Sequence, residues 1–293
     1  MHCLNLKLTY DCSNDCKFCF SKHLKGQNLT LNDLLKVIEK AYSDGAREIV
    51  LSGGEPTFHE EKFLSCLAFA EKIGYEKYIV QTNGFGLVNN SKIFNFIEDF
   101  SKKNDVTFSF SIHGANAKTH DELSSSHGAF EILLSAMKKI FEKTSCKIFT
   151  NTVMTQKNFN ELQEIVDLVK NFQPEIIQFA MMHTKNLKNL RTTLKDSAIK
   201  IRSLKINREI LKTEGLPFCL MYGFEECVGE SYWPEILDVY NGASKIFSNF
   251  SQLENGMRWR AGFCKNCLMD ELCAGIWIEH KDEFLKLKVH PIC

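Results

Sequence analysis

The chain has 293 residues, 44% apolar and 25% charged, with 36 basic residues balancing 36 acidic ones. It is long enough to bury a sizeable core, as one large domain with an appendage or as two domains. Zero net charge gives no global attraction to nucleic acid or to an anionic membrane. No apolar run reaches spanning length and the N-terminus lacks a signal-peptide pattern, so a cytoplasmic protein with neither nucleic acid nor membrane as partner is expected. In a reducing compartment twelve Cys argue for metal rather than disulfides. Cys3, Cys66 and Cys146 read as small buried hydrophobes.

Residues 4 to 10 alternate Leu4, Leu6, Leu8 and Tyr10 with Asn5, Lys7 and Thr9, the period of a strand. That strand feeds a loop carrying Cys12, Cys16 and Cys19 in a C-x3-C-x2-C spacing. Three thiolates there can bind three irons of one cubane cluster, leaving the fourth iron open to a ligand. Phe18 and Phe20 stand ready to shield it from water. A zinc site completed by His23 is the alternative. Thr30 and Asp33 cap a helix with Leu31, Leu34, Leu35, Ile38, Ala41 and Tyr42 on one face, ended by Gly45. Strand 48–51 runs into Ser52-Gly53-Gly54-Glu55-Pro56, where paired Gly permit close backbone approach and Pro56 sets the exit.

Next come a helix over 63–73, a strand over 77–81 and the turn Thr82-Asn83-Gly84, with Asn83 either bonding a polar cofactor or capping the turn. After a helix over 93–100, Val106, Phe108, Phe110 and Ile112 alternate with Thr107, Ser109, Ser111 and His113, so one face of that strand is polar. A helix over 129–141, a strand over 147–153 containing Asn151, a helix over 161–169 and a strand over 175–180 complete six alternating units. That pattern predicts a parallel sheet with right-handed crossovers. Nine Lys or Arg between 185 and 212 precede an acidic stretch from 213 to 243; the basic run reads as a solvated helix that the acidic stretch partly neutralises. Near the end, Cys264, Cys267 and Cys273 form a second metal-type run, C-x2-C-x5-C. A fourth ligand is expected at Cys219, with Cys227 and Cys293 as rivals; zinc bound by the same four residues is the alternative.

Cys12, Cys16 and Cys19, with an aromatic before the third Cys, resemble the cluster motif of the radical S-adenosylmethionine (radical SAM) enzymes. Gly53-Gly54-Glu55-Pro56 resembles the same family's second signature, which holds the amino group of the SAM methionine. Ser111-Ile112-His113-Gly114 is similar to its Ser-Leu-Asp-Gly segment near the SAM ribose, with His where Asp is usual. The resemblance implies an α/β fold, a partial (β/α)6 TIM-like barrel over 1–212, with a [4Fe-4S] cluster on Cys12, Cys16 and Cys19. SAM would lie against Phe18, Gly53, Gly54, Glu55, Pro56, Asn83, Ser111, His113 and Asn151. The C-terminal Cys run resembles part of the SPASM and twitch auxiliary domains, which implies a small C-terminal auxiliary cluster domain over 213–293. One auxiliary [4Fe-4S] cluster would sit there on Cys219, Cys264, Cys267 and Cys273, because the further Cys of a full SPASM pattern is missing.

The function so implied is reductive cleavage of SAM and abstraction of hydrogen from a substrate. Auxiliary domains of this type accompany peptide or protein substrates in the family, so a peptide maturase is expected, working with a reductant such as flavodoxin or ferredoxin. Eleven residues precede Cys12, too few for a leader-binding domain, so leader recognition is expected from a separate protein or from the basic segment. The rival readings are a small-molecule enzyme like the molybdenum-cofactor cyclase and a non-enzymatic metal-binding or sensing protein. No catalytic acid, base or hydrogen donor is assigned.

Overall fold

The computed structural model describes residues 2–184, 187–232, 236–241, 244–247, 257–287, 289 and 292. One nine-stranded sheet dominates it: β1 (His2–Thr9), β2 (Glu48–Gly53), β3 (Lys77–Thr82), β4 (Asp105–Ser111), β5 (Lys147–Met154), β6 (Ile176–Met181), β7 (Leu211–Glu214), β8 (Ile236–Asn241) and β9 (Ser244–Phe247). Its order is β7-β6-β5-β4-β3-β2-β1-β8-β9, and every neighbouring pair is parallel except β8–β9. The expected α/β barrel architecture is therefore present, with α-helices between successive strands from β1 to β7.

Alternation in sequence decides which face of each strand is apolar. Leu4, Leu6 and Leu8 of β1, Ile49 and Leu51 of β2, and Phe108 and Phe110 of β4 are fully buried in one core. That core takes in Leu34 and Ile38 of α1 (Leu31–Ser43), Phe63 and Leu67 of α2 (Glu60–Ile73), and Leu133 and Ile140 of the helix Ala129–Lys143. The opposite face carries Asn5, Lys7, Ser52, Ser109, Ser111, Asn151, Gln178 and Glu214, and it lines the barrel lumen. The Thr30 hydroxyl accepts the Asp33 N–H as the cap of α1, and Gly74 closes α2 in the left-handed region.

Three strands of this sheet lie beyond the six expected. β7 adds to β6 at one edge and β8, followed by β9, to β1 at the other, so residue 212, where the sequence divides the chain, falls inside β7. The reason is physical: four residues reading Leu-Lys-Thr-Glu have little strand signal of their own and become a strand by hydrogen bonding to β6. Cys293 lies outside the described residues. Cys227 is fully buried, its thiol 3.7 Å from the Arg208 carbonyl, and belongs to the core rather than to a cluster of thiols. Cys3 and Cys66 are likewise buried. No helix of the described residues is long and apolar enough to cross a membrane.

Candidate active site

The loop after β1 is held from both flanks. On one side Asp11 accepts from Asn28 Nδ2 at 2.6 Å and Gly26 N–H at 3.1 Å and faces His59 Nε2 at 2.8 Å. Burial opposes ionisation there, but those hydrogen bonds hold the Asp11 carboxyl below its usual range. On the other side the Gly54 N–H donates to the Thr9 carbonyl at 2.6 Å and the Glu55 N–H to the Asp11 carbonyl at 2.8 Å. A Cβ at Gly53 would stand 2.3 Å from the Thr9 oxygen, and one at Gly54 2.3 Å from the Asp11 oxygen. The paired Gly thus let the end of β2 touch the chain's own cysteine loop.

Glu55 is fully buried and its carboxylate joins three loops. One oxygen accepts from the Thr57 N–H at 3.1 Å, the Thr57 hydroxyl at 2.6 Å and the Thr82 hydroxyl at 2.7 Å; the other accepts from the Asn83 N–H at 2.7 Å. Burial pushes its pKa up against those donors. The side chain predicted to meet the cofactor is therefore engaged in holding the site together. Pro56 is buried and opens the short turn Pro56–Phe58. Asn83 does reach the loop: its amide nitrogen lies 3.0 Å from the Ser13 hydroxyl and 3.6 Å from Cys12 Sγ, while its oxygen accepts from the Phe85 N–H.

The three thiols of the loop feel one another electrostatically, and burial pushes those of Cys12 and Cys16 to about 12. Thiolates in so dry a place need cationic partners. The Asn14 N–H donates to Cys12 Sγ at 3.4 Å, and the Ser21 hydroxyl and Cys19 Sγ share a hydrogen bond at 3.4 Å. His23 is exposed on the turn Lys22–Leu24. Phe18 is buried edge-on to His113, centroids 4.7 Å apart. His113 Nδ1 accepts the Val153 N–H at 3.4 Å, which places its proton on Nε2. Burial, with His120 stacked beside it, lowers its pKa to about 3, so the ring is neutral. Ser111 and Asn151 pair across β4 and β5 on the luminal face, and Gln178 on β6 extends the row, its amide nitrogen 3.3 Å from Asn151 Oδ1.

At the C-terminal end, Cys219, Cys264, Cys267 and Cys273 line one cavity with Phe218, Phe263 and Phe284. Burial pushes the Cys219 thiol to about 12, followed by the influence of Cys273, Cys264 and Cys267. The short ladder β10 (Arg258–Trp259) with β11 (Ile276–Trp277) frames the cavity, and the Gly275 N–H lies 3.4 Å from Cys273 Sγ. Among the described residues no three His, Cys, Asp or Glu side chains are placed to hold a single metal ion. The donor chemistry, three thiols in one loop and four around one cavity, suits a cluster whose irons are each bound by a Cys thiolate.

Sequence pattern alone misses the luminal charges. Lys7 on β1 donates to Ser52 Oγ at 3.0 Å and Asn5 Oδ1 at 3.3 Å, and Glu214 on β7 accepts from Gln178 Nε2 at 3.1 Å. The period-two alternation of β1 contains Lys7 as a polar-face residue, but nothing local says that this face encloses a cavity.

The family profile of the Radical SAM superfamily matches residues 6–169, more than half of the chain. Relatives by sequence include a probable GTP 3′,8-cyclase of Saccharolobus solfataricus, 24% identical over 193 residues, covering 64% of this chain and 59% of that protein. An AdoMet-dependent heme synthase of Methanosarcina barkeri is 27% identical over 167 residues, 56% of this chain and 46% of that one. The chain thus matches about three fifths or less of the length of these two relatives. Among solved structures, Streptococcus suis SuiB bound to S-adenosylmethionine superposes with a TM-score of 0.66 at 17% identity, over 99% of this chain and 76% of that chain. For anSMEcpe with bound AdoMet and Cp18Cys peptide the TM-score is 0.65 at 15% identity, over 94% and 89%. At such identities the likeness is one of fold.

Proposed function

Because the chain belongs to the radical SAM superfamily, we propose that it cleaves S-adenosylmethionine at a [4Fe-4S] cluster on Cys12, Cys16 and Cys19 and abstracts hydrogen from a peptide or protein substrate. A cluster held by these thiols would supply the electron that splits SAM into methionine and a 5′-deoxyadenosyl radical, and a reductant such as flavodoxin or ferredoxin would return that electron to it. The carrying observation is mechanical: backbone bonds from Gly54 and Glu55 and the side chain of Asn83 join the cysteine loop to the ends of β2 and β3. Thiols and cofactor-binding segments are thereby held as one unit, and a rigid site aligns reacting groups without reorganisation. Gly53, Gly54 and Pro56 are assigned to the methionine end of SAM, and Ser111, His113 and Asn151 to its ribose side. Phe18 keeps water from the cluster, and Glu55 positions the loop rather than the cofactor.

Cys219, Cys264, Cys267 and Cys273 are assigned one auxiliary [4Fe-4S] cluster in a twitch-like C-terminal segment. The peptide reading is supported by SuiB bound to precursor peptide SuiA, which shares the fold over 99% of this chain, and by the peptide-bound anSMEcpe. A second reading, a small-molecule enzyme, is favoured by the sequence relatives described as probable GTP 3′,8-cyclases.

The test is iron, sulfide and product analysis after anaerobic reconstitution. About eight irons and eight sulfides per chain, together with 5′-deoxyadenosine, are expected. About four of each removes the auxiliary cluster from the proposal. Absence of 5′-deoxyadenosine overturns the enzyme reading in favour of sensing, and a cyclised product from GTP overturns the peptide substrate.

A further inference from the structure

The barrel lumen carries a set of charges that the cofactor assignment leaves unused. Lys7 projects from β1 one layer below the cysteine loop, and two of its three N–H groups go to Ser52 and Asn5. Glu214 projects from β7, one edge of the sheet, and reaches Gln178. Five strands separate theirs in the sheet, and the register puts both side chains on the luminal face, Lys7 level with Ser52 and Glu214 with Ala180, each influencing the other's ionisation. Glu230 and Arg258 flank them: the Arg258 guanidinium lies 3.1 Å from Glu230, 3.9 Å from Glu214 and 3.5 Å from the ring centroid of Trp277. His183, stacked on Trp277 at 4.4 Å, is held neutral by burial and by Arg258, with a pKa of about 4. Lys212 shares the register of Gln178, but its ammonium is taken by the Glu209 and Glu226 carbonyls.

Among the described residues the lumen therefore pairs two cations, Lys7 and Arg258, with two carboxylates, Glu214 and Glu230. A nucleoside triphosphate, with about four negative charges, would meet two carboxylates there, and like-charge juxtaposition counts strongly against such a ligand. A neutral group that both accepts and donates hydrogen bonds suits the pair. We propose that Lys7 and Glu214 form a subsite for a main-chain amide of the substrate, Lys7 donating to its carbonyl oxygen and Glu214 accepting from its N–H. The subsite deepens the peptide reading above and rests on it. Burial has displaced both groups toward neutrality, Lys7 down to about 8 and Glu214 up to about 7, as is common where a site is built for a ligand rather than for stability.

The test uses the full chain, reconstituted and with SAM, and a fluorescein-labelled random decapeptide library as probe, with GTP as competitor. The wild type should bind the library, and excess GTP should leave binding unchanged. Lys7→Met and Glu214→Gln should each weaken it at least tenfold, while Lys138→Met on the surface should not. In the wild type, binding should be strongest between about pH 7 and 8, where Glu214 is ionised and Lys7 protonated, and should fall on either side; His183, held near 4 by burial, stays neutral throughout. This profile needs no variant and stands if either variant fails to fold. Peptide binding that is equal in all variants, or flat between pH 6 and 9, overturns the subsite and leaves the peptide reading intact. No peptide binding, with GTP bound and lost in Lys7→Met, overturns both.

Discussion

The two cysteine sets solve one problem in opposite ways. Cys12, Cys16 and Cys19 fall within eight residues of one loop, and that loop is tied to the barrel through polar bonds to Asn28, His59, Gly54, Glu55 and Asn83. Cys219 stands 45 residues before Cys264, and its set is brought together by apolar packing of Phe218, Phe263, Phe284 and Ile276 around the cavity. Short loop closure costs little entropy, so the first set is nearly assembled once β1 and β2 pair; the second must wait for the C-terminal segment to dock. The first lies beside a neutral His113. The second is lined by the rings of Phe218, Phe263 and Phe284.

The contrast can be broken most strongly at the thiols. Cys16→Ala should abolish 5′-deoxyadenosine and remove about half of the iron, whereas Cys219→Ala should remove the other half and leave the loop's iron in place; chemical iron analysis with low-temperature EPR separates the two. Equal loss of all iron in both variants would show that the sites fold as one unit. Next in size is Gly54→Ala, whose new Cβ would stand 2.3 Å from a backbone oxygen. It should cost about 1–3 kcal/mol and lower Tm by several degrees. Gly262→Ala, beside the C-terminal set and with nothing within 4 Å of its Cβ, should stay within about 0.5 kcal/mol of wild type.

Smaller effects sharpen the comparison. Asn83→Ala removes an N–H directed at Cys12 Sγ, and fewer hydrogen bonds to cluster sulfurs lower a potential. A potentiometric titration should show one midpoint moved negative and the other unmoved. Cys227→Ala should leave iron content at the wild-type level and cost about 1 kcal/mol as a small core truncation; loss of iron would return Cys227 to the ligand set. The smallest effect concerns the lumen. Glu214 has a folded pKa of about 7 against an ordinary 4.5. Its contribution to stability is therefore fully present below about pH 4.5 and is lost as pH rises through 7. Glu214→Gln should match wild type in Tm near pH 4.5 and exceed it by about 2–4 °C above pH 7, on the order of 1 kcal/mol in a chain of this size.

Much of the barrel is written locally. Alternation of Leu4, Leu6 and Leu8, and of Val106, Phe108 and Phe110, places those strands; Thr30 with Asp33 starts the helix Leu31–Ser43; and Cys12, Cys16 and Cys19 mark the loop between. β7 is illegible because a short, polar strand takes its form from a neighbour across the sheet. Gly53 and Gly54 were legible as a close-approach pair, but what they approach, the carbonyls of Thr9 and Asp11, belongs to another strand end. Glu55 likewise reads as a ligand group in its motif and is in fact bound by Thr57, Thr82 and Asn83.

The sequence by itself determined the fold class, the order of the first six strands and the identity of the cysteine loop, because period, capping and short Cys spacing act over a few residues. Tertiary structure alone decided that Cys219 joins Cys264, Cys267 and Cys273 while Cys227 goes to the core. It alone put Lys7 and Glu214 on one luminal face and turned the Glu55 carboxylate inward. Those outcomes depend on contacts between distant segments, where burial and charge are properties of the assembled lumen and cavity rather than of any stretch of chain.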